Sequence, residues 1–245
     1  MSLRLHHTLL AALCLACGAA GASGLQVSPV TLTIQPTQNA EGLWLSNTGD
    51  NVVHAQVRVY QWTQEDGQDK LTASRGLVVS PPMLQLAASE RQLIRAIRLG
   101  APPSGAGAVE QAYRVLIDEL PVEPPGHKGL SFVLRYSVPI FVEPAGAPAS
   151  APQLQWALHT DAGKTVLEAS NSGGTHVQVA DLSFTDASGH RTEVTQGLLG
   201  YVLPGARMRW VVKAPAAALA GGGTWEAMIN GTTATQNIPL ADRPR

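Results

Sequence analysis

Asp118 and Glu119 are adjacent carboxylates, the residue types that general acid–base catalysis would use. They sit in a β-type run, residues 111–120, where neighbours face opposite sides, so they should not act as a dyad. Beyond the N-terminal leader the histidines are His54, His127, His159, His176 and His190. None stands at H-x-H or H-E-x-x-H spacing, so they read as scattered surface residues and not as metal ligands. There is no G-x-S-x-G elbow, and Cys14 and Cys17 both lie in the leader, leaving no thiol nucleophile. The glycine-rich pieces at 105–107 and 221–223 lack the Lys-Ser/Thr of a phosphate loop. These patterns predict no enzyme, no metal and no cofactor.

What remains is non-covalent chemistry. The run GLSFVLRYSVPIFVEP, residues 129–144, places Leu130, Phe132, Leu134, Tyr136 and Val138 at alternating positions. Alternate residues of a strand share one face. The run follows the Pro- and Gly-rich loop PVEPPGHKG and leads into EPAGAPASAP, which reads as an interdomain linker. On composition alone the stripe fits an ordinary core strand. An uncovered apolar strand is also an edge that can add itself to another protein's sheet.

The elements that must position this run are all β-type. Candidate strands fall at residues 25–34, 42–46, 52–62, 77–79, 92–99, 111–120 and 130–142, separated by turn residues such as Asn47-Thr48-Gly49-Asp50 and Glu65-Asp66-Gly67-Gln68. Pro29 inside the first favours an edge strand or a bulge. Val53, Ala55, Val57 and Val59 lie on one face of the third, with His54, Gln56, Arg58 and Tyr60 on the other. Seven short strands in roughly 115 residues is the pattern of an immunoglobulin-like sandwich. A second set follows at 154–158, 165–169, 177–184, 192–194, 207–212 and 224–229, with turns at 171–174 and 186–189. The expected fold is all-β: two immunoglobulin-like β-sandwich domains, at 25–143 and 153–245, joined by a linker at 144–152.

Residues 1–24 read as a cleaved signal peptide: Arg4, His6 and His7, an apolar run at 9–16 too short to span a bilayer, then GAAGASG with A-x-A-like cleavage options. Cys14 and Leu15 make a poor lipobox before Cys17. A secreted or periplasmic domain of this size can fold without disulfides. No later segment has the ~20 apolar residues of a membrane helix, so no stable membrane insertion is expected. The formal charge is −1, with no basic bias for nucleic acid.

The segments LQVSPVTLTI, GLWLSNTGDNVVHAQVRVYQW, LVVSPPMLQLAASERQLIRAIRL, QAYRVLIDELP and GLSFVLRYSVPIFVEP occur in this order. Together they resemble a periplasmic PapD-like pilus-assembly chaperone of the chaperone–usher pathway, and within it the archaic branch serving spore-coat-U-like pilins. The second half matches more weakly, through LEASNSGGTHVQV and MINGTTATQNIPL. The resemblance implies two sandwiches in a boomerang arrangement and a periplasmic location. It implies pilin subunits and an outer-membrane usher as partners. It also implies a donor strand in which Leu130, Phe132 and Leu134, continued by Tyr136, fill the groove of an incomplete subunit. It implies that no ATP is required, because in the family the later exchange at the usher is strand for strand. The free chaperone is expected to cover the donor edge by self-association.

The family anchors the subunit's C-terminal carboxylate with basic residues. The usual first-strand Arg is replaced here by Thr31 and the usual donor-strand Lys by Pro139. Candidate substitutes are Arg114, which is favoured, and Arg135; either guanidinium could bind a carboxylate in bidentate fashion. Arg95 matches a family Arg read as structural. Glu110 matches an acidic residue that orients the domains, but its usual basic partner position holds Glu143. Arg191, Arg207 and Arg209 are the alternatives for an interdomain pair. The competing reading of a different class is a secreted β-sandwich adhesin or structural pilus component.

Overall fold

The computed structural model describes residues 24–121, 133–213 and 223–236. Every regular element among them is a strand. No helix of the described residues is long and apolar enough to cross a membrane. The leader lies outside the described residues.

The first sandwich uses β1 (Leu25–Ser28), β2 (Leu32–Ile34), β3 (Ala40–Asn47), β4 (Val53–Glu65), β5 (Gln68–Ala73), β6 (Leu77–Ser80), β7 (Met83–Leu86), β8 (Arg91–Arg98), β9 (Gln111–Leu120) and β10 (Arg135–Val142). One sheet has the order β1-β3-β8-β6; the other has the order β2-β10-β9-β4-β5, with β7 also on β4. The expected first strand breaks at Pro29, and its halves join different sheets: β1 pairs with β3, and β2 runs parallel to β10. Period-two burial builds the core, with Leu43, Leu45, Ile94 and Ala96 facing Val57, Val115, Ile117, Val138 and Ile140.

The second sandwich uses β11 (Leu154–Asp161), β12 (Lys164–Asn171), β13 (Val177–Asp186), β14 (Arg191–Val202), β15 (Arg207–Val212), β16 (Gly223–Ile229) and β17 (Thr232–Gln236). Its sheets run β11-β12-β15 and β14-β13-β16-β17. Leu167, Val179, Phe184, Val202 and Trp225 centre its core.

β5, β7, β14 and β17 depart from the sequence reading; β7 lies just past Pro81-Pro82, where no strand is expected, and pairs with the start of β4. β5 is exposed at every position, so it carries no apolar alternation. It forms because Asp66 and Gly67, with φ of 53° and 78°, make the two-residue hairpin turn that returns it along β4. β17 follows Asn230-Gly231 in the same way. β14 extends to Val202, well past residue 194, through exposed and half-buried positions with no clean alternation and several register shifts against β13.

The two sandwiches share an asparagine corner. Asn47 and Asn171 are both buried at the ends of β3 and β12. Asn47 Nδ2 donates to the carbonyls of Asn51, Leu86 and Ala87, and its Oδ1 accepts from Gly49 N. Asn171 Nδ2 donates to Thr175 and Val202, and its Oδ1 accepts from Gly173 N and Gln153 N. The two sandwiches therefore close the same corner with the same side chain.

Candidate functional site

The outer face of the larger first sheet holds the candidate site. Register brings residues of β4, β9 and β10 into rows. Tyr60, Arg114 and Pro139 form one row, and Gln56, Asp118 and Arg135 form another. From Val138 to Val142 both faces of β10 are buried. The inner face meets the first core. Phe141, on the outer face, belongs to a second cluster with Trp62, Ala112, Tyr201 and Leu203. Tyr201 and Leu203 come from the second sandwich, so this cluster joins the two.

Polar contacts fix the junction. Gln64 Nε2 donates to the Tyr201 carbonyl and Gln64 Oε1 accepts from Leu203 N, each at 2.9 Å. Arg209 N donates to the Gly67 carbonyl at 3.2 Å. Glu110 is buried; its Oε1 accepts from His176 N at 3.2 Å, and His176 Nδ1 lies 2.8 and 3.0 Å from its two oxygens. The His176 ring stacks on Phe141 with centroids 3.5 Å apart and planes 3° from parallel. This corrects two expectations. His176 is a half-buried junction residue, not a surface histidine. It is also the partner of Glu110, whereas Arg191 pairs with Glu226, and Arg207 and Arg209 both pair with Glu168.

Arg114 lies in this cleft, half-buried. Its Cζ stands 3.7 Å from the Trp62 ring centroid and 5.1 Å from that of Tyr201. Burial pulls its guanidinium below the usual arginine value, with Asp69 opposing. No described residue forms a hydrogen bond or ion pair with it. Arg135 is placed differently. It lies four residues along the ladder, roughly 14 Å away, is exposed, and is ion-paired to Asp118, which also pairs with Arg58.

Burial opposes ionisation of Asp118, but hydrogen bonds from Arg58 and Arg135 outweigh it and hold the carboxyl below the ordinary carboxylate range. A carboxyl depressed in the folded state adds stability above its unfolded pKa of about 3.9 and loses it as pH falls through the lower folded value. The thermal midpoint should therefore fall as the pH drops below about 4. In Asp118→Asn that fall should be shallower, as followed by circular dichroism; an unchanged slope would contradict the assignment.

The free edge of β10 completes the site. β9 pairs along the whole strand, whereas β2 pairs only with Ile140, Phe141 and Val142. Among the described residues the stretch from Arg135 to Pro139 therefore has no strand on its outer side. Glu119 N donates to the Leu134 carbonyl at 2.9 Å. By the alternation of an antiparallel ladder, Arg135 and Ser137 then turn their N–H and C=O groups outward. Leu134, just before β10, is half-buried, and its N donates to Glu119 Oε2. Tyr136 packs against the first core and its hydroxyl donates to the Leu25 carbonyl. Leu130 and Phe132 lie outside the described residues. No group of His, Cys, Asp or Glu among the described residues could hold a metal ion.

Sequence reasoning missed Trp62, Gln64, His176 and Tyr201. A signal existed for Trp62. It continues the polar face of β4, where an apolar side chain out of phase with the core implies a second covering surface. Phe141 carries the same signal on β10.

Comparison with known proteins bears on the family and the fold. Residues 24–148 match the family model for pili and flagellar-assembly chaperones, PapD N-terminal domain. Similar solved structures include a chain of the CsuC–CsuE chaperone–tip adhesion subunit pre-assembly complex from archaic chaperone–usher Csu pili of Acinetobacter baumannii. It is 23% identical with a TM-score of 0.68, covering 89% of this chain and 99% of that one. Another is a chain from Salmonella enterica SafA pilin in complex with the SafB chaperone (16% identity, TM-score 0.61, 90% and 99% covered). A third is the E. coli chaperone DraB (18% identity, TM-score 0.57, 89% and 97% covered). These likenesses bear on the fold, a pair of β-sandwiches. A search of curated protein sequences finds no match. With residues 24–148 accounted for by the family model, the chain belongs to the pili and flagellar-assembly chaperones, a family of binding proteins and not of enzymes.

Proposed function

We propose that this chain is a periplasmic chaperone of the archaic kind that captures spore-coat-U-like pilin subunits and passes them to an outer-membrane usher. The observation that carries the reading is the edge of β10, unpartnered among the described residues, which leads directly to the Arg114 guanidinium, unpaired among the same residues: Pro139 is Arg114's ladder partner. An incomplete subunit sandwich needs what this edge offers, main-chain hydrogen bonds along a strand and apolar side chains at alternate positions. Leu130, Phe132 and Leu134 supply those side chains. Tyr136 marks the point where the stripe turns from donation to the chaperone's own core. Residues 25–143 form the donating domain, 144–152 the linker and 153–245 the second domain, in the boomerang arrangement that leaves the cleft open to a client. Self-association would cover the same edge in the free chaperone.

Arg114 is the anchor for the subunit's C-terminal carboxylate, and Arg135, held by Asp118, is a surface cation. A charge-assisted hydrogen bond contributes about 1.5–3 kcal/mol. Arg114→Ala should therefore weaken subunit binding on the order of tenfold to a hundredfold, while Arg135→Ala changes it little. Isothermal titration with a purified donor-deficient subunit tests this. Binding at wild-type affinity would remove Arg114 from the site, and a lost circular dichroism spectrum would make it structural.

A further inference from the structure

Resting on Arg114 as the carboxylate anchor, we propose that Trp62 and Tyr201 are positioning residues that hold its guanidinium in an aromatic cage, so that the carboxylate site is complete only when the two sandwiches are docked. The geometry is specific. Arg114 Cζ lies 3.7 Å from the Trp62 ring and 5.1 Å from the Tyr201 ring, and the two rings meet edge to face at 82° with centroids 5.4 Å apart.

Both walls are themselves fixed. Trp62 is buried and its Nε1 donates to Asp69 Oδ1 at 2.9 Å. Tyr201 is buried, its carbonyl accepts from Gln64 Nε2 at 2.9 Å, and its hydroxyl accepts from Gln178 Nε2 at 3.0 Å. Gln64 Nε2 also donates to Asp69 Oδ1 at 2.8 Å, so one carboxylate steadies both the Trp62 wall and the bridge to the second sandwich.

Stacking uses the face of a guanidinium and leaves its edge, with the N–H donors, for a planar anion. A caged Arg114 therefore enters binding with little side-chain freedom left to lose, and neighbouring rings exclude the water that would weaken the contact. Because one wall belongs to each sandwich, a carboxylate that binds Arg114 favours the docked arrangement. By reciprocity, loosening the junction weakens the carboxylate.

The test uses the chain without its leader and two probes: N-acetylated Val-Thr-Val-Thr-Val with a free carboxylate, and the same peptide amidated at its C-terminus. Binding is followed by the NMR signals of Arg114 Nε–H and the Trp62 indole N–H. Wild type should prefer the acid over the amide by on the order of tenfold. Tyr201→Phe, which keeps the ring, should retain that ratio. Tyr201→Leu should bring it to within about twofold of unity, because a cation–π contact of this kind is worth several-fold or more. General structural damage would weaken both peptides alike and leave the ratio unchanged.

The outcomes separate the two claims. A wild type with no acid preference overturns the anchor and the cage together. A preserved ratio in Tyr201→Leu overturns the cage and leaves the anchor standing. The wild-type Arg114 Nε–H resonance should also lie upfield from ring currents. An unshifted resonance would overturn the cage even if Tyr201→Leu failed to fold.

Discussion

Phe132→Asp should leave the chaperone folded and abolish subunit capture. The first core is closed by Val138, Ile140 and Val142 of β10, further along the chain than residue 132. The thermal midpoint should therefore stay within a few degrees of wild type. In the proposed complex Phe132 enters an apolar groove, where a large side chain contributes about 1.5–3 kcal/mol. The aspartate loses that term and brings a carboxylate into a site with no partner for it, which costs several kcal/mol more. A combined loss of about 5 kcal/mol corresponds to more than roughly a thousandfold in Kd. Leu130→Asp should behave alike. Titration against a purified subunit reads the loss directly, and a decrease of only a few-fold would show that Phe132 is not in the groove.

The largest expected loss of stability lies elsewhere, at Asn47. Its Nδ2 is shared among three carbonyls at 2.7, 3.1 and 3.0 Å. Asn47→Asp keeps the shape and removes the donor. A carboxylate would face the carbonyls of Asn51, Leu86 and Ala87 in a buried site, taking a donor from each and setting a charge against them, although Ala87 keeps its bond from Glu90 N. The cost should be about 3–4 kcal/mol, seen as a fall in thermal midpoint on the order of 10 °C. Asn171→Asp should act in the same way on the second sandwich, where Nδ2 serves Thr175 and Val202. A midpoint within a degree or two of wild type in Asn47→Asp would mean that the corner does not support the fold.

Both predictions show where the sequence is informative. The strands that line the cores were legible because burial on one face imprints period two, as in Val53, Ala55, Val57 and Val59 of β4. β5 was not legible: no part of it is buried, and its place is set by the Asp66-Gly67 turn and pairing to β4. Asn47 could be read as a turn residue, but its bonds to Leu86 and Ala87 join positions 39 and 40 residues apart, which no local pattern records.

The candidate site divides along the same line. The alternating run at 130–138 and Arg114 are the parts of the proposed site that alternation and family likeness single out. The residues around Arg114 come from both sandwiches and meet only through tertiary packing. Glu110 and His176 are 66 residues apart, and Gln64 and Tyr201 are 137 apart. The departure from the family's usual basic anchors, at Thr31 and Pro139, pointed to a substitute cation. The exposed position and Asp118 pairing of Arg135, against the cleft position of Arg114, are what separate the two candidates.

The most direct measurement is co-purification from an extract of the native cells, with the tagged wild type and Phe132→Asp side by side and bound proteins identified by mass spectrometry. Small β-rich subunits on the wild type and none on the variant are the predicted result. Equal recovery of such subunits on both would contradict donation by this strand, and none on either would contradict the chaperone function itself.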